Sequence, residues 1–285
     1  MTATIQARGL SKSFGATRAL AGIDLTIPAG RIVGLIGPNG AGKTTAMKAI
    51  LGLTPYQGEL KVLGLDPHRQ RQQLMRDVSF IADTAILPRW IRVSELIDFT
   101  AQVHPRFSPE RCRALLAGTK IDPKMKVKAM SKGMVVQMHL ALVMAIDARL
   151  LVLDEPTLGL DILHRKAFYE NLLNDYFDQD RTILVTTHQV EEIEHILSDV
   201  VFIRDGRIVL DTAMDALPDR YTEVLVGPDR REAALALQPL HERSLFGKSA
   251  MLFDGVDRLR LAELGEVRTP GLADLFVATM KERDQ

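Results

Sequence analysis

"GPNGAGKT", residues 37–44, decides the fold. It fits G-x-x-x-x-G-K-[ST]. A nearly all-apolar run, "RIVGLIG" (31–37), precedes it, and "TTAMKAILGL" (44–53), with helical spacing, follows. Strand, glycine loop and helix together are the context in which the pattern has physical meaning. Glycines let the backbone curl so that successive N–H groups point at one anion. The helix aims the positive end of its dipole at the same place. On this reading Gly37, Pro38, Asn39, Gly40, Ala41, Gly42, Lys43, Thr44 and Thr45 form a loop for a nucleotide polyphosphate. Lys43 reaches the β- and γ-phosphates, and the Thr44 hydroxyl is a ligand for Mg²⁺.

Working outward, "VSFIAD" (78–83), "LLVLDE" (150–155) and "TILVTTH" (182–188) are further short apolar runs. Such runs fit strands covered on both faces, as in a parallel α/β sheet. "RKAFYENLLNDYF" (165–177) has helical spacing, with Phe168, Leu172, Leu173 and Tyr176 on one face. "VVFIRDGRIVL" (200–210) reads as a hairpin around Asp205-Gly206. The first 30 residues are β-rich, with turn signals at Gly15 and "PAG" (28–30). Between about 86 and 135 the pattern changes to helices and polar loops, an insertion in the α/β core. It changes again after about 216, where "YTEVLV" and "SAMLF" read as strands. There "TPGLADLFVATMK" (269–281) reads as a helix with Thr269 as N-cap and Pro270 in the first turn. Its residues Leu272, Leu275 and Phe276 make a packing stripe. The expected division is a core domain over 1–215 and a small α+β accessory domain over 216–285.

"LLVLDEP" (150–156) ends a buried strand with two acids. Burying a carboxylate is unfavourable unless it is compensated. Asp154 beside a Mg²⁺–phosphate site would be compensated. Glu155 would then lie near the γ-phosphate as general base or water-orienting residue. The neighbouring run ends in "TTH", which brings His188 to the γ-phosphate as well.

Composition narrows the partners. Lys+Arg and Asp+Glu are both 36, so the formal net charge is zero, which weighs against nucleic acid. Cys112 is the only cysteine, which excludes an internal disulfide and fits a reducing cytoplasm. It sits in "PERCRALL" and reads as an inert thiol. "MTATIQARGL" lacks a signal-peptide core. No apolar run approaches the roughly 20 residues that span a bilayer; "LALVMAI" (140–146) ends at Asp147. The chain is expected to stay outside the bilayer, free to dock on a protein that crosses it.

Six motifs in a fixed order now carry a family resemblance: "LSKSFG" (10–15), "GPNGAGKTT" (37–45), the 78–84 segment, "MSKGM" (130–134), "LLVLDEPTLGLD" (150–161) and "TTH" (186–188). Over roughly residues 3–215 the chain resembles the nucleotide-binding subunit of an ATP-binding-cassette (ABC) transporter. The resemblance implies a P-loop NTPase with a mostly parallel sheet, an N-terminal antiparallel β subdomain and a helical subdomain over about 86–140. It implies ATP and Mg²⁺ as cofactors, and a second ATPase subunit, identical or different. It also implies an integral membrane transporter subunit, and a peripheral place on the cytoplasmic face of the membrane. "SKGM" and the C-terminal domain resemble most the exporters of drugs or peptide antibiotics that have separate membrane subunits.

The same resemblance assigns roles. Phe14 stacks on adenine. Lys43, Glu155 and His188 are catalytic, and Asp154 is the Mg²⁺-linked acid. Ser131, Lys132, Gly133 and Met134 form the signature that serves the partner's ATP in trans, and Ser131 is also a good N-cap for the helix it opens. Asp161 links the two subunits. Leu158 replaces the usual Ser before Gly-Leu-Asp, and Gln137 replaces a common Arg. Asp83 stands where the family usually has Gln; its oxygens suit Mg²⁺, but an ionised carboxylate donates no hydrogen bond. A register one residue later would put Thr84 there instead. Trp90, between Arg89 and Arg92, suits the groove for a membrane partner or the inside of the helical insertion. Two rivals are an ABC protein acting on DNA or ribosomes, for which paired cassettes or long coiled-coil insertions are missing, and a regulatory, weakly hydrolysing subunit.

Overall fold

The computed structural model describes residues 3–81, 87–178 and 180–281. Strands β1 (Ala3–Phe14) and β2 (Thr17–Pro28) form the opening hairpin. Strand β3 (Ile32–Ile36) runs into the glycine loop and helix α1 (Lys43–Ile50). Strand β4 (Gln57–Val62) returns to the other edge of β1, completing a three-stranded antiparallel sheet in the order β2-β1-β4. Ile5, Ala7, Leu10, Leu20, Ile23, Leu25 and Ile27 turn from this sheet into the core.

Helix α2 (Arg71–Leu74) and strand β5 (Val78–Ile81) lead to a helical segment. It comprises α3 (Val93–Val103), α4 (Pro109–Leu116) and α5 (Lys132–Met144) around a small core of their own. Cys112 is wholly buried there, and burial pushes its thiol up to about 12. Trp90 stands 71% exposed at the edge of the segment, which decides between its two readings in favour of the surface.

The chain re-enters the core through β6 (Leu150–Asp154), α6 (Ile162–Asn171), β7 (Thr182–Thr187), α7 (Val190–Ile193), β8 (Asp199–Arg204) and β9 (Arg207–Ala213). Helix α6 widens into a π turn over Leu172–Tyr176, which puts Leu172 and Tyr176 fully inside and leaves Leu173 half-buried. The main sheet has the order β5-β6-β7-β3-β8-β9 and is parallel except for β9. All residues of β3, β6 and β7 are buried, which is why their sequences read as continuous apolar runs rather than alternating ones. Register brings Ile36 beside Thr187 and Asp154 beside Thr186. The glycine loop, the two acids and the "TTH" end therefore meet at the carboxyl edge of one sheet, where open α/β sheets bind ligands.

The last stretch holds α8 (Leu217–Arg220), β10 (Tyr221–Val226), α9 (Arg231–Leu235), β11 (His241–Leu245), β12 (Lys248–Asp254), α10 (Arg258–Ala262), β13 (Gly265–Arg268) and α11 (Leu272–Met280). Its sheet is antiparallel, in the order β11-β12-β10-β13. Glu223 is buried in it and accepts from Arg243 at 3.1 Å and Arg268 at 2.5 Å, the pairing that a buried carboxylate needs.

The expected start of the last helix is corrected. Its N-cap is Gly271, and Thr269 and Pro270 lie before it. The first-turn donor at Leu272 N is satisfied from outside, by Glu194 Oε1 at 2.9 Å, so no local Ser or Thr cap is required. The helix also packs against the core of the main sheet. Leu272, Leu275 and Ala278 join the core cluster that contains Val190, Ile193 and Phe202. The Phe276 ring meets Phe202 edge-on at 5.3 Å, and Arg204 donates to Thr279 O at 2.9 Å.

Candidate functional site

The glycine loop is shaped by two close approaches. A Cβ on Gly37 would lie 2.3 Å from Ile203 O, so only hydrogen fits against β8. Gly42 has φ 110, and a Cβ there would lie 2.5 Å from Ala19 O. The hairpin tip between β8 and β9 secures the loop from outside. Gly206 N donates to Ala41 O at 3.0 Å, and Ala21 N donates to Gly206 O at 2.8 Å.

Within this frame lies a cavity of about 200 Å³, lined by Asn39 to Thr45, Ala19, Asp154 and Glu155. Lys43 Nζ donates to Gly37 O at 2.6 Å and Pro38 O at 3.1 Å, which holds the ammonium across the loop. Burial lowers the Lys43 pKa, and Glu155 and Asp154 act in the opposite sense. Thr44 Oγ1 donates to Asp154 Oδ2 at 3.3 Å, and Thr186 Oγ1 donates to Asp154 Oδ1 at 2.5 Å.

Glu155 leaves the end of β6 with φ 46, a left-handed conformation that non-glycine residues adopt at a cost of about 1–3 kcal/mol. Its N–H donates to Thr186 O at 3.0 Å, so the turn is fixed by the neighbouring strand. The turn directs the carboxylate at two donors. Thr187 Oγ1 lies 3.1 Å from Oε2, and His188 Nδ1 lies 2.8 Å from Oε1. The His188 side chain is 42% exposed and Glu155 only 14%, so the imidazole forms the outer layer of the pair.

The other expected site residues lie elsewhere. Ser131 caps α5, its hydroxyl accepting from Met134 N at 3.2 Å, as expected of that residue. Asp161 caps α6, accepting from Leu163 N at 3.1 Å and His164 N at 3.0 Å, with His164 Nδ1 at 2.6 Å from its other oxygen. These bonds lower the Asp161 pKa, the backbone N–H of His164 most of all. Ser131, Gly133, Met134 and Asp161 line a second cavity, of about 480 Å³, which includes none of the glycine loop. Lys132, beside them, is exposed. Phe14 is 54% exposed at the end of β1, with Lys12 Nζ 4.9 Å from its ring centroid, and it lines neither cavity. Asp83 and its alternative Thr84 lie outside the described residues.

A single chain thus presents the glycine-loop cavity and, separately, a helix start flanked by Asp161. Residues 20–158 match the family described as ABC transporter. A Nod factor export ATP-binding protein I of Burkholderia lata is 35% identical over 230 residues, 75% of this chain and 72% of that protein. The chain belongs to the ATP-binding family of ABC transporters. The protein of the same name from Rhizobium johnstonii is 30% identical across 96% of this ABC subunit and 93% of its own length, so the likeness extends into the C-terminal stretch. A solved structure of an ATP-binding subunit of an ABC transporter superposes with a TM-score of 0.70 at 25% identity, covering 76% of this chain and 92% of that one. This ABC subunit binds nucleotide and is an ATPase that drives a transporter. The expected fold, an antiparallel N-terminal sheet on a mostly parallel core, is the one found.

Sequence reasoning missed several groups around the site. Thr186 and Thr187 were legible only as strand residues, although hydroxyls in an otherwise apolar buried run are a signal that acids lie alongside. Thr157, Arg165 and Glu192 carried no signal in one dimension, because they meet only in the folded chain.

Proposed function

We propose that two copies of this ABC subunit close around two ATP molecules and drive export through a separate membrane-spanning subunit. The observation that carries this reading is the split of the site. The cavity with Lys43, Asp154 and Glu155 lacks Ser131, Gly133 and Asp161, which line the other one. A second chain in two-fold relation supplies each cavity with its missing half. The exposed Leu158, Ile162 and Leu163 beside Asp161 give that contact an apolar component.

In the closed site Lys43 and the loop N–H groups hold the β- and γ-phosphates, and Phe14 offers a ring face to adenine. Mg²⁺ suits the donor set, since Thr44 Oγ1 and Asp154 Oδ2 are converging oxygen ligands and Asp154 is a buried carboxylate. Thr44 and Asp154 would hold such an ion, with Asp83, outside the described residues, proposed as a third oxygen ligand; bound there, it would supply neutralisation of charge on the phosphate oxygens. Glu155 takes the proton of the attacking water. Its carboxylate is oriented by Thr187 and His188, and the more exposed imidazole is the group that meets the γ-phosphate. The partner's Ser131 hydroxyl and the N–H groups that open its α5 (Lys132, Gly133 and Met134) close on the same phosphate.

Among the described residues no helix is long and apolar enough to cross a membrane. The membrane partner is met instead at the cytoplasmic face, through the exposed Trp90 and its neighbouring arginines. The export direction is supported by the Nod factor export relatives.

A mixing experiment tests the composite site. Ser131→Arg and Lys43→Ala each abolish turnover alone. Mixed, they regain ATPase activity, because one site of the mixed dimer combines the intact glycine loop of the first variant with the intact helix start of the second. A mixture that stays inactive, while the wild type is active, refutes the two-chain site.

A further inference from the structure

We infer that Arg165 is a positioning residue that couples the loop leading to Asp161 with the turn that carries His188. Its guanidinium touches three elements at once. Nε donates to Leu160 O at 2.8 Å, in the loop between Glu155 and Asp161. NH1 donates to the Gln189 side-chain oxygen at 3.2 Å, on the residue after His188. The same nitrogen pairs with the Glu192 carboxylate on α7. Glu192 in turn accepts from Thr157 Oγ1 at 3.3 Å, and that buried hydroxyl lies 3.3 Å from Tyr169 OH. The loop after the catalytic acid is therefore pinned at two points, Thr157 and Leu160, to groups that also hold the histidine turn.

The location makes the coupling more than a local brace. Gln189 N donates to Thr187 Oγ1 at 3.0 Å, and the Thr187 hydroxyl donates to Glu155. Displacement of the histidine turn by a γ-phosphate is thus transmitted through Gln189 and Glu192 to Arg165, and from Arg165 to the backbone oxygen one residue before Asp161. Asp161 is the acid assigned above to the opposing subunit, so the inference rests on the two-chain reading. The Arg165 and Glu192 side chains are each 25% exposed, so the pair is shielded enough to transmit position rather than merely sit on a solvated surface. A planar guanidinium serves three acceptors in fixed directions; a lysine ammonium serves the carboxylate as a point charge and loses the fork.

The test uses Arg165→Ala and Arg165→Lys in the full chain, with and without Glu155→Gln. ATP affinity of the monomer should stay within about threefold, because no group of the glycine loop is touched. The kcat should fall about tenfold or more with little change in KM, as expected when reacting groups are misplaced rather than binding lost. The Hill coefficient for ATP should fall towards one. Arg165→Lys should fall between Ala and the parent in kcat, and should restore less of the Hill coefficient than of the thermal stability. Should Arg165→Ala fail to fold, Arg165→Lys still decides the matter. Normal kcat and Hill coefficient in the folded variants overturn the inference alone, provided that the Glu155→Gln parent forms an ATP-dependent dimer. Absence of that dimer in the parent overturns the two-chain reading, and this inference with it.

Discussion

Replacing Glu155 by Gln changes the chemistry of the acid and almost nothing else. The amide oxygen still accepts from Thr187, whose hydroxyl lies 3.1 Å from Oε2. The amide nitrogen then faces His188 Nδ1, now 2.8 Å from Oε1, and the imidazole accepts there by taking its other tautomer. The left-handed turn at φ 46 is fixed by Glu155 N donating to Thr186 O, a backbone bond that the substitution leaves alone. What disappears is a group able to take a proton. General-base assistance is typically worth about 10²- to 10⁴-fold. That is about 3–5 kcal/mol of transition-state stabilisation at 1.36 kcal/mol per tenfold. The expected result is therefore a kcat lower by that factor, with ATP affinity changed by no more than about threefold. Steady-state phosphate release reads the first quantity and titration of a fluorescent nucleotide the second. Size-exclusion chromatography with Mg²⁺ and ATP should show a persistent dimer, since closure no longer ends in hydrolysis. Turnover within about threefold of the wild type would refute the assignment of Glu155 as base.

Two further expectations follow from packing and burial. Leu275→Ala should destabilise the chain by about 2–5 kcal/mol, because Leu275 is 1% exposed within the ATPase core cluster. The urea midpoint reads this, and a loss below about 0.5 kcal/mol would mean that α11 does not belong to that core. His139, on α5, has its pKa lowered by burial to about 4. The unfolded chain, with an ordinary imidazole near 6.5, then binds more protons between these two values, so stability falls as the pH drops through that window. Allowing for the side chain's partial exposure, the loss should be of the order of 2 kcal/mol. Comparing urea midpoints of the wild type and His139→Gln from pH 7.5 to 4.5 checks it, and parallel curves would count against the shift.

The parts of this molecule legible in its sequence are those that a single stretch of chain specifies. β3, β6 and β7 are buried on both faces, so each announces itself as an apolar run, and the acids and histidine stand at the ends of those runs. The glycine loop is legible because its conformation demands glycines at fixed spacing. By contrast, the cap of α11 comes from Glu194, 78 residues earlier, and no local pattern at Thr269 or Pro270 could foretell it. The left-handed turn at Glu155 is held by a bond from the next strand, so its sequence carries no glycine to mark it. The three-way contact of Arg165 reads in one dimension as a charged residue on a helix. Trp90, with arginines on either side, was compatible with two environments, and only tertiary structure separates them.

The buried thiol of Cys112 has a practical consequence. Thiol-reactive labels attack the thiolate, and this one is both enclosed and held protonated up to about 12. As the chain's sole cysteine, it leaves the native background silent towards maleimide dyes and spin labels. One cysteine introduced at the exposed end of α3 and another beside the accessory sheet would therefore be labelled alone. The closing and opening of the two subunits proposed above would then be followed as a distance between labels on opposite chains, without first removing any native residue.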